Sequence, residues 1–296
     1  MEDILTVAVV NFRPEAGCKE KNLARVKGFA RAAARRGADL VLFPELCLLG
    51  YDYYLDDGVS FEDKYASADT VQSADTCQLR DLAQQLGIYL IYGAAEQKEG
   101  KLWNSAYILS PGGQADTYQK LHPFGPENRF FEKGQRPHLM ETPWGPVGIG
   151  ICYDSYQFPE LMRYYVRKGA RLYLNPTAEV EEIAFEKSRA AFRSYYQRNL
   201  EYGAACNGIF IASANLTGYD KTSYFAGGSV VLGPKLSPFS ELDVDYYGGG
   251  IDCTREGIFL ATIDLSLAPR MLVKENPYGG GTDDRPELYR RLLEDV

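Results

Sequence analysis

The stretch Val147-Gly148-Ile149-Gly150-Ile151-Cys152-Tyr153-Asp154-Ser155 decides how this chain is read, because an apolar strand runs straight into a turn at a cysteine. Helix-like residues, Phe158-Pro159-Glu160-Leu161-Met162-Arg163-Tyr164-Tyr165, come next. A strand–turn–helix junction of this kind can hold a thiol out into a cleft, with the following backbone N–H groups aimed at whatever it attacks. Two other runs also end on a charge: Leu40-Val41-Leu42-Phe43-Pro44-Glu45 and Ala115-Asp116-Thr117-Tyr118-Gln119-Lys120. A thiol, a carboxylate and an ammonium at three strand ends are the parts needed for acyl transfer without histidine.

The rest of the chain alternates in the same way. Strand-like runs occur at 5–11, 40–43, 89–94, 105–109, 147–152, 172–175, 209–214, 229–232 and 258–263. Helical periodicity fills several gaps and is clearest at 19–36, where Leu23, Val26, Phe29, Ala30 and Ala33 recur at helical steps before Gly37. Further helices fit 77–86, 159–168 and 182–206, and the strands around Gly93 and Lys101 suggest hairpins in a mixed sheet. With no Pro/Gly/Ser-rich linker and no internal repeat, the pattern predicts a single layered α/β domain over 1–296. The segment 242–252, with its Gly248-Gly249-Gly250 run, reads as a loop, and an arm is expected from about 271.

Composition bounds the function. The net charge of -8 argues against nucleic acid or an anionic membrane as the main partner. No apolar run approaches the length of a membrane span, and the acidic start Met1-Glu2-Asp3-Ile4 is no secretory signal, so a cytoplasmic protein is expected. The six cysteines (Cys18, Cys47, Cys77, Cys152, Cys206, Cys253) are scattered and read as free thiols. With His122 and His138 the only histidines, no metal site is expected.

Pro44 forces the preceding residue into extended geometry, so the strand ends there and Glu45 sits at the rim of the sheet, where open α/β proteins place ligands. Partial burial there would raise its pKa towards a value useful for general acid–base work. Lys120 precedes Leu121-His122-Pro123-Phe124-Gly125-Pro126-Glu127, a turn better suited to a pocket wall than to solvent. Glu127 could hold the ammonium charged. A cysteine–histidine pair through His122 or His138 stays open as an alternative.

Three segments resemble the signature of the nitrilase superfamily of carbon–nitrogen hydrolases: Phe43-Pro44-Glu45-Leu46, Tyr118-Gln119-Lys120-Leu121-His122, and Gly150-Ile151-Cys152-Tyr153-Asp154 with Phe158-Pro159-Glu160. Asn175-Pro176-Thr177-Ala178, Ala214-Asn215 and Asp284-Arg285-Pro286-Glu287-Leu288-Tyr289 extend the likeness over nearly the whole chain. The resemblance implies a four-layer α-β-β-α sandwich and a Cys152–Glu45–Lys120 triad. It also implies a second glutamate, assigned to Glu127 with Glu132 as the alternative. Tyr153 would supply an oxyanion-binding backbone N–H, and no cofactor is needed. Gly203-Ala204-Ala205-Cys206-Asn207 departs from the Arg-x-x-Glu-Asn run that many members carry.

Tyr153-Asp154 after the cysteine matches members that cleave amides, so a small amide is expected, with carbamoyl hydrolysis, or a non-catalytic scaffold on the same fold, as alternatives. Tyr51, Tyr53, Tyr54, Tyr156 and Phe185 are candidate pocket aromatics, and Asn175, Thr177 and Glu179 candidate substrate contacts. Asp154, Glu179, Glu181 and Glu182 would make the rim acidic and favour neutral or amine-bearing substrates. A homodimer or higher homo-oligomer is expected, formed through a sheet or helix face and the C-terminal arm.

Overall fold

Strand β1 (Ile4–Asn11) shows how the layers arise. Its Leu5, Val7 and Val9 belong to one buried apolar cluster, while Ala8 and Val10 belong to another. Successive side chains of a strand point to opposite faces, so a strand covered on both sides must be apolar throughout.

The computed structural model describes residues 1–181, 186–235 and 243–294, with backbone alone across 186–194. Among these residues, β1, β2 (Leu40–Leu42), β3 (Tyr89–Lys98), β4 (Lys101–Leu109), β5 (Ala115–Gln119) and β14 (Gly257–Asp264) form a six-stranded sheet ordered β14-β1-β2-β3-β4-β5. A second six-stranded sheet contains β6 (Leu139–Thr142), β7 (Gly145–Ile149), β8 (Leu172–Thr177), β9 (Phe210–Asn215), β12 (Val230–Pro234) and β13 (Val244–Gly249), ordered β13-β12-β9-β8-β7-β6. β10 (Thr217–Tyr219) and β11 (Tyr224–Ala226) pair separately. Both sheets are mixed: β1, β2 and β3 run parallel, as do β7, β8 and β9, and their flanking partners are antiparallel.

The helices are α1 (Lys19–Arg35), α2 (Tyr51–Leu55), α3 (Phe61–Ser67), α4 (Ala74–Leu86), α5 (Tyr153–Gln157), α6 (Pro159–Arg167), α7 (Glu186–Asn207) and α8 (Pro286–Glu294). Leu23, Val26, Ala30 and Ala33 of α1 and Leu79 and Leu82 of α4 pack with Ala8, Val10 and Leu90, covering the outer face of the first sheet. Leu161, Tyr165 and Val166 of α6 and Leu200 and Ala204 of α7 share the cluster of Leu5, Val7 and Val9, to which both sheets contribute. The architecture is therefore the expected α-β-β-α sandwich.

The segment 242–252 does not form the expected loop. Leu242 lies outside the described residues, but Val244–Gly249 is the edge strand β13. Its glycines serve close approach: a Cβ at Gly248 would lie 2.7 Å from Leu260 O, and one at Gly249 would lie 2.1 Å from Ser229 O. The short helices α2, α3 and α5 carry too few turns to leave a period in the sequence. Beyond 271 the chain makes turns and then α8, none of whose described residues is buried. Arg167 pairs with Asp284 at 2.7 Å, and Leu292 and Leu293 face outward.

The residues after β2, β5, β7 and β8 meet at one place, and glycine makes part of that meeting possible. A Cβ at Gly93 would lie 2.5 Å from Glu45 Cα, Leu46 N and Pro44 O. We predict that Gly93→Ala lowers stability by about 2–3 kcal/mol, since backbone has to move. Gly28→Ala, in α1 with nothing within 4 Å, should raise stability by about 0.5–1 kcal/mol. Urea midpoints of the two variants check this, and a Gly93→Ala protein as stable as the parent would contradict the close approach.

Candidate active site

Lys120 leaves the end of β5 and is fully buried, as are Glu45 after β2 and Glu127 in the turn beyond. Its Nζ donates to Glu45 Oε1 at 2.7 Å and to Glu127 Oε1 at 2.9 Å. Asn104, in the middle of β4, donates Nδ2 to Glu45 Oε1 at 2.6 Å and Glu127 Oε2 at 3.3 Å. The Tyr51 hydroxyl donates to Glu127 Oε1 at 2.7 Å, and the Ala178 N–H donates to Glu45 Oε2 at 2.9 Å. Burial opposes the Lys120 charge, but Glu127 and Glu45 outweigh it and hold the ammonium well above its usual pKa. Burial pushes Glu45 up, with Lys120 pulling the other way.

Cys152 follows β7 as the residue capping α5, with φ +49°. That left-handed backbone is costly for a side chain with a Cβ and persists only where the surroundings fix it. Here the Cys152 N–H donates to Pro176 O at 3.0 Å and Asn175 Oδ1 at 3.1 Å. Asn175 is held in turn, accepting from Ser155 Oγ at 2.8 Å and donating to Ser213 Oγ at 2.9 Å. Burial raises the thiol well above its usual pKa, Glu45 and Glu179 add to that, and Lys120 and a Thr177 hydrogen bond oppose it. At rest the sulfur therefore keeps its proton. The Tyr153 N–H lies in the first turn of α5, where no intrahelical carbonyl is available to it.

A cavity of about 630 Å³ opens over the sulfur, lined by Cys152, Tyr51, Phe124, Tyr153, Tyr156, Gln157, Ala178, Glu179, Val180, Tyr195 and Arg198. Glu179 Oε2 stands 4.0 Å from Cys152 Sγ. Burial and Glu45 raise its pKa to about 7, against Lys120.

The structure thus brings Cys152, Glu45, Lys120, Glu127, Tyr51, Tyr153, Tyr156 and Glu179 together. Glu132 is not among them: it pairs with Lys101 at 3.3 Å on the surface. Asn175 braces the cysteine turn and does not line the cavity, and Thr177 accepts from the Tyr156 hydroxyl at 3.0 Å beneath it. Tyr53 and Tyr54 pack edge to face outside the cavity. Phe185 and Glu182 lie outside the described residues.

The acidic rim also needs correction. Asp154 turns back into the sheet ends, fully buried, and accepts from the Tyr118 hydroxyl at 2.7 Å, Ile151 N–H at 3.1 Å and His122 N–H at 2.9 Å. Glu181 is buried as well, which leaves Glu179. The His122 ring contacts Asp154 Oδ1 at 2.8 Å and stacks on Phe158, while His138 lies near Asp116, so both histidines are engaged away from the thiol. Phe124 lies in the turn whose sequence suits a pocket wall, while Asn104, Tyr195 and Arg198 carry no local signal, Asn104 standing just before the strand-like run 105–109. Among the described residues no cluster of His, Cys, Asp or Glu is arranged to hold a metal, and no helix is long and apolar enough to cross a membrane.

A cysteine-bearing turn beside a buried carboxylate–ammonium pair has the parts of a cysteine hydrolase site. The carbon-nitrogen hydrolase profile matches residues 6–269, and the chain belongs to that family, within the nitrilase superfamily. It is similar to a nitrilase of Pyrococcus abyssi, 28% identical over 97% of this chain and 99% of that protein. It is also 30% identical to the human omega-amidase over 73% of this chain and 76% of that protein. A crystal structure of an amidase from Nesterenkonia sp. superposes with TM-score 0.75 at 25% identity, covering 99% of this chain and 98% of that one. A mutant of that amidase, matching at TM-score 0.74, 25% identity and 97% and 96% coverage, carries the acetamide moiety of fluoroacetamide on its active-site cysteine. The protein is thus an amidase-like hydrolase of carbon–nitrogen bonds.

Glu179 gives this site a measurable pH signature. Its folded pKa of about 7 lies above the ordinary 4.5, so its favourable contribution is complete below the ordinary value and is lost as pH rises through 7. Glu179→Gln should therefore gain stability relative to the parent as pH rises from about 5 to about 8. Urea midpoints across that range test it, and a flat difference would contradict the buried carboxylate.

Proposed function

We propose that the protein hydrolyses a small amide through a Cys152 thioester and releases ammonia. The observation that carries this is the Lys120 ammonium. It has three N–H donors, and Glu45 and Glu127 take two, which leaves one for an oxyanion beside Cys152. Glu45 accepts the thiol proton as the sulfur attacks the carbonyl carbon. The Lys120 ammonium and the Tyr153 N–H hold the tetrahedral oxyanion. Glu45 then gives its proton to the departing nitrogen and later deprotonates the water that cleaves the thioester. Glu127 acts as a positioning residue, because its oxygens are occupied by Lys120, Asn104 and Tyr51. The likeness to an amidase over nearly the full length of both chains supports an amide as the substrate.

Ammonia release from a panel of small amides, N-carbamoyl compounds and nitriles tests the reading, with amides expected to be cleaved best. Cys152→Ala should abolish turnover with an unchanged circular dichroism spectrum. Lys120→Ala, checked for folding in the same way, should lower kcat at least about a hundredfold, as expected for loss of one preorganised donor. Near-parental turnover in either variant would overturn the assigned roles.

A further inference from the structure

Among the described residues lining the cavity, Glu179 carries the only carboxylate, and it lies deep, with Oε2 4.0 Å from Cys152 Sγ. Its place is fixed from the backbone, where the Glu179 N–H donates to Asn215 Oδ1 at 3.0 Å. No described cation lies within ion-pair distance of it, since the Lys120 ammonium is taken by Glu45 and Glu127. Arg198, the cation of the same lining, is exposed. Among the described residues, the carboxylates of Glu45, Glu127 and Glu179 are set against one buried ammonium, that of Lys120. Removing a carboxylate from water without a counter-charge is costly, and a ligand cation would supply the missing partner.

We propose that Glu179 is the specificity-determining residue of this site, seating an ammonium group that the substrate carries one or two carbons from its scissile carbonyl. This deepens the amidase reading above and rests on it. The distance sets the class of substrate. A carbonyl carbon poised for attack stands about 3–3.5 Å from the sulfur. An ammonium on the carboxylate stands about 2.7–2.9 Å from its oxygen. With sulfur and oxygen 4.0 Å apart, a nitrogen that branches close to the carbonyl can meet the carboxylate while the carbonyl carbon faces the sulfur. The rings of Phe124, Tyr153, Tyr156 and Tyr195 line the same space, which suits a cation. The substrates are therefore small amides of amino acids or of close β-amino analogues, and ω-amides whose only charge is a carboxylate are poor ones.

The test compares glycinamide with its neutral isostere propionamide, and β-alaninamide with butyramide, with malonamate as the anionic control. In the parent enzyme kcat/KM for each cationic amide should exceed that of its isostere at least about tenfold, a selectivity of some 1.4 kcal/mol. Glu179→Gln should cut that ratio by a similar factor. Titration of the Cys152→Ala protein with glycinamide and propionamide reads the same preference as binding, without turnover and without altering Glu179. An equal Kd for the two, or a ratio unmoved by Glu179→Gln, overturns the inference while ammonia release keeps the amidase reading. A uniform loss for every amide in Glu179→Gln also overturns it, because Glu179 would then contact the scissile amide itself. If no amide is cleaved while nitriles or carbamoyl compounds are, the amidase reading fails and the inference falls with it.

Discussion

The Lys120 ammonium, buried between the carboxylates of Glu45 and Glu127, is the constraint on which the rest of the site depends. One buried charge is unaffordable alone, and a buried carboxylate pair without a cation would repel itself. Together with Asn104 and Tyr51 the three form a network in which every member fixes another. Such networks hold one geometry because breaking a single member leaves an uncompensated charge, at about 3–5 kcal/mol. The strand order serves this arrangement. β2, β4 and β5 belong to one sheet, so Glu45, Asn104 and Lys120 issue from a common rigid frame, while the Ala178 N–H reaches Glu45 from the end of β8 in the other.

Cys152 is held by a second, separate device. Cys152 keeps a left-handed backbone because Asn175 and Pro176 take its N–H, and the next turn is pinned through Asp154 to Tyr118, Ile151 and His122. Asp154 therefore links the cysteine turn on the second sheet to the end of β5 on the first, where Lys120 begins. Preorganisation of this kind leaves the site little to rearrange as charge develops in the reaction.

The sequence made the strand ends legible because an apolar run that stops on a charge is a local signal. Glu45 has it, Lys120 closes an alternating run, Cys152 ends an apolar strand at a turn, and α1 carries a helical stripe. What could not be read was direction. Asp154 sits two residues from Cys152, and nothing in the order of residues says that its carboxylate turns inward to Tyr118 and not out to the rim. Asn175 follows the same logic, since its side chain braces the turn instead of meeting the cavity. Asn104 was hidden inside a strand, where its partners come from residues far away in the chain. The glycine run of β13 misled for another reason: glycine marks loops and close backbone contacts alike, and here it marks a contact.

Rapid-quench mass spectrometry during turnover of a slowly hydrolysed amide would trap the proposed covalent acyl–sulfur intermediate at Cys152. The account predicts an adduct of the acyl mass on the peptide containing Cys152, formed together with a burst of ammonia no larger than the enzyme concentration. Turnover with no adduct at any time, or an adduct on Cys47, Cys206 or another thiol, would contradict it.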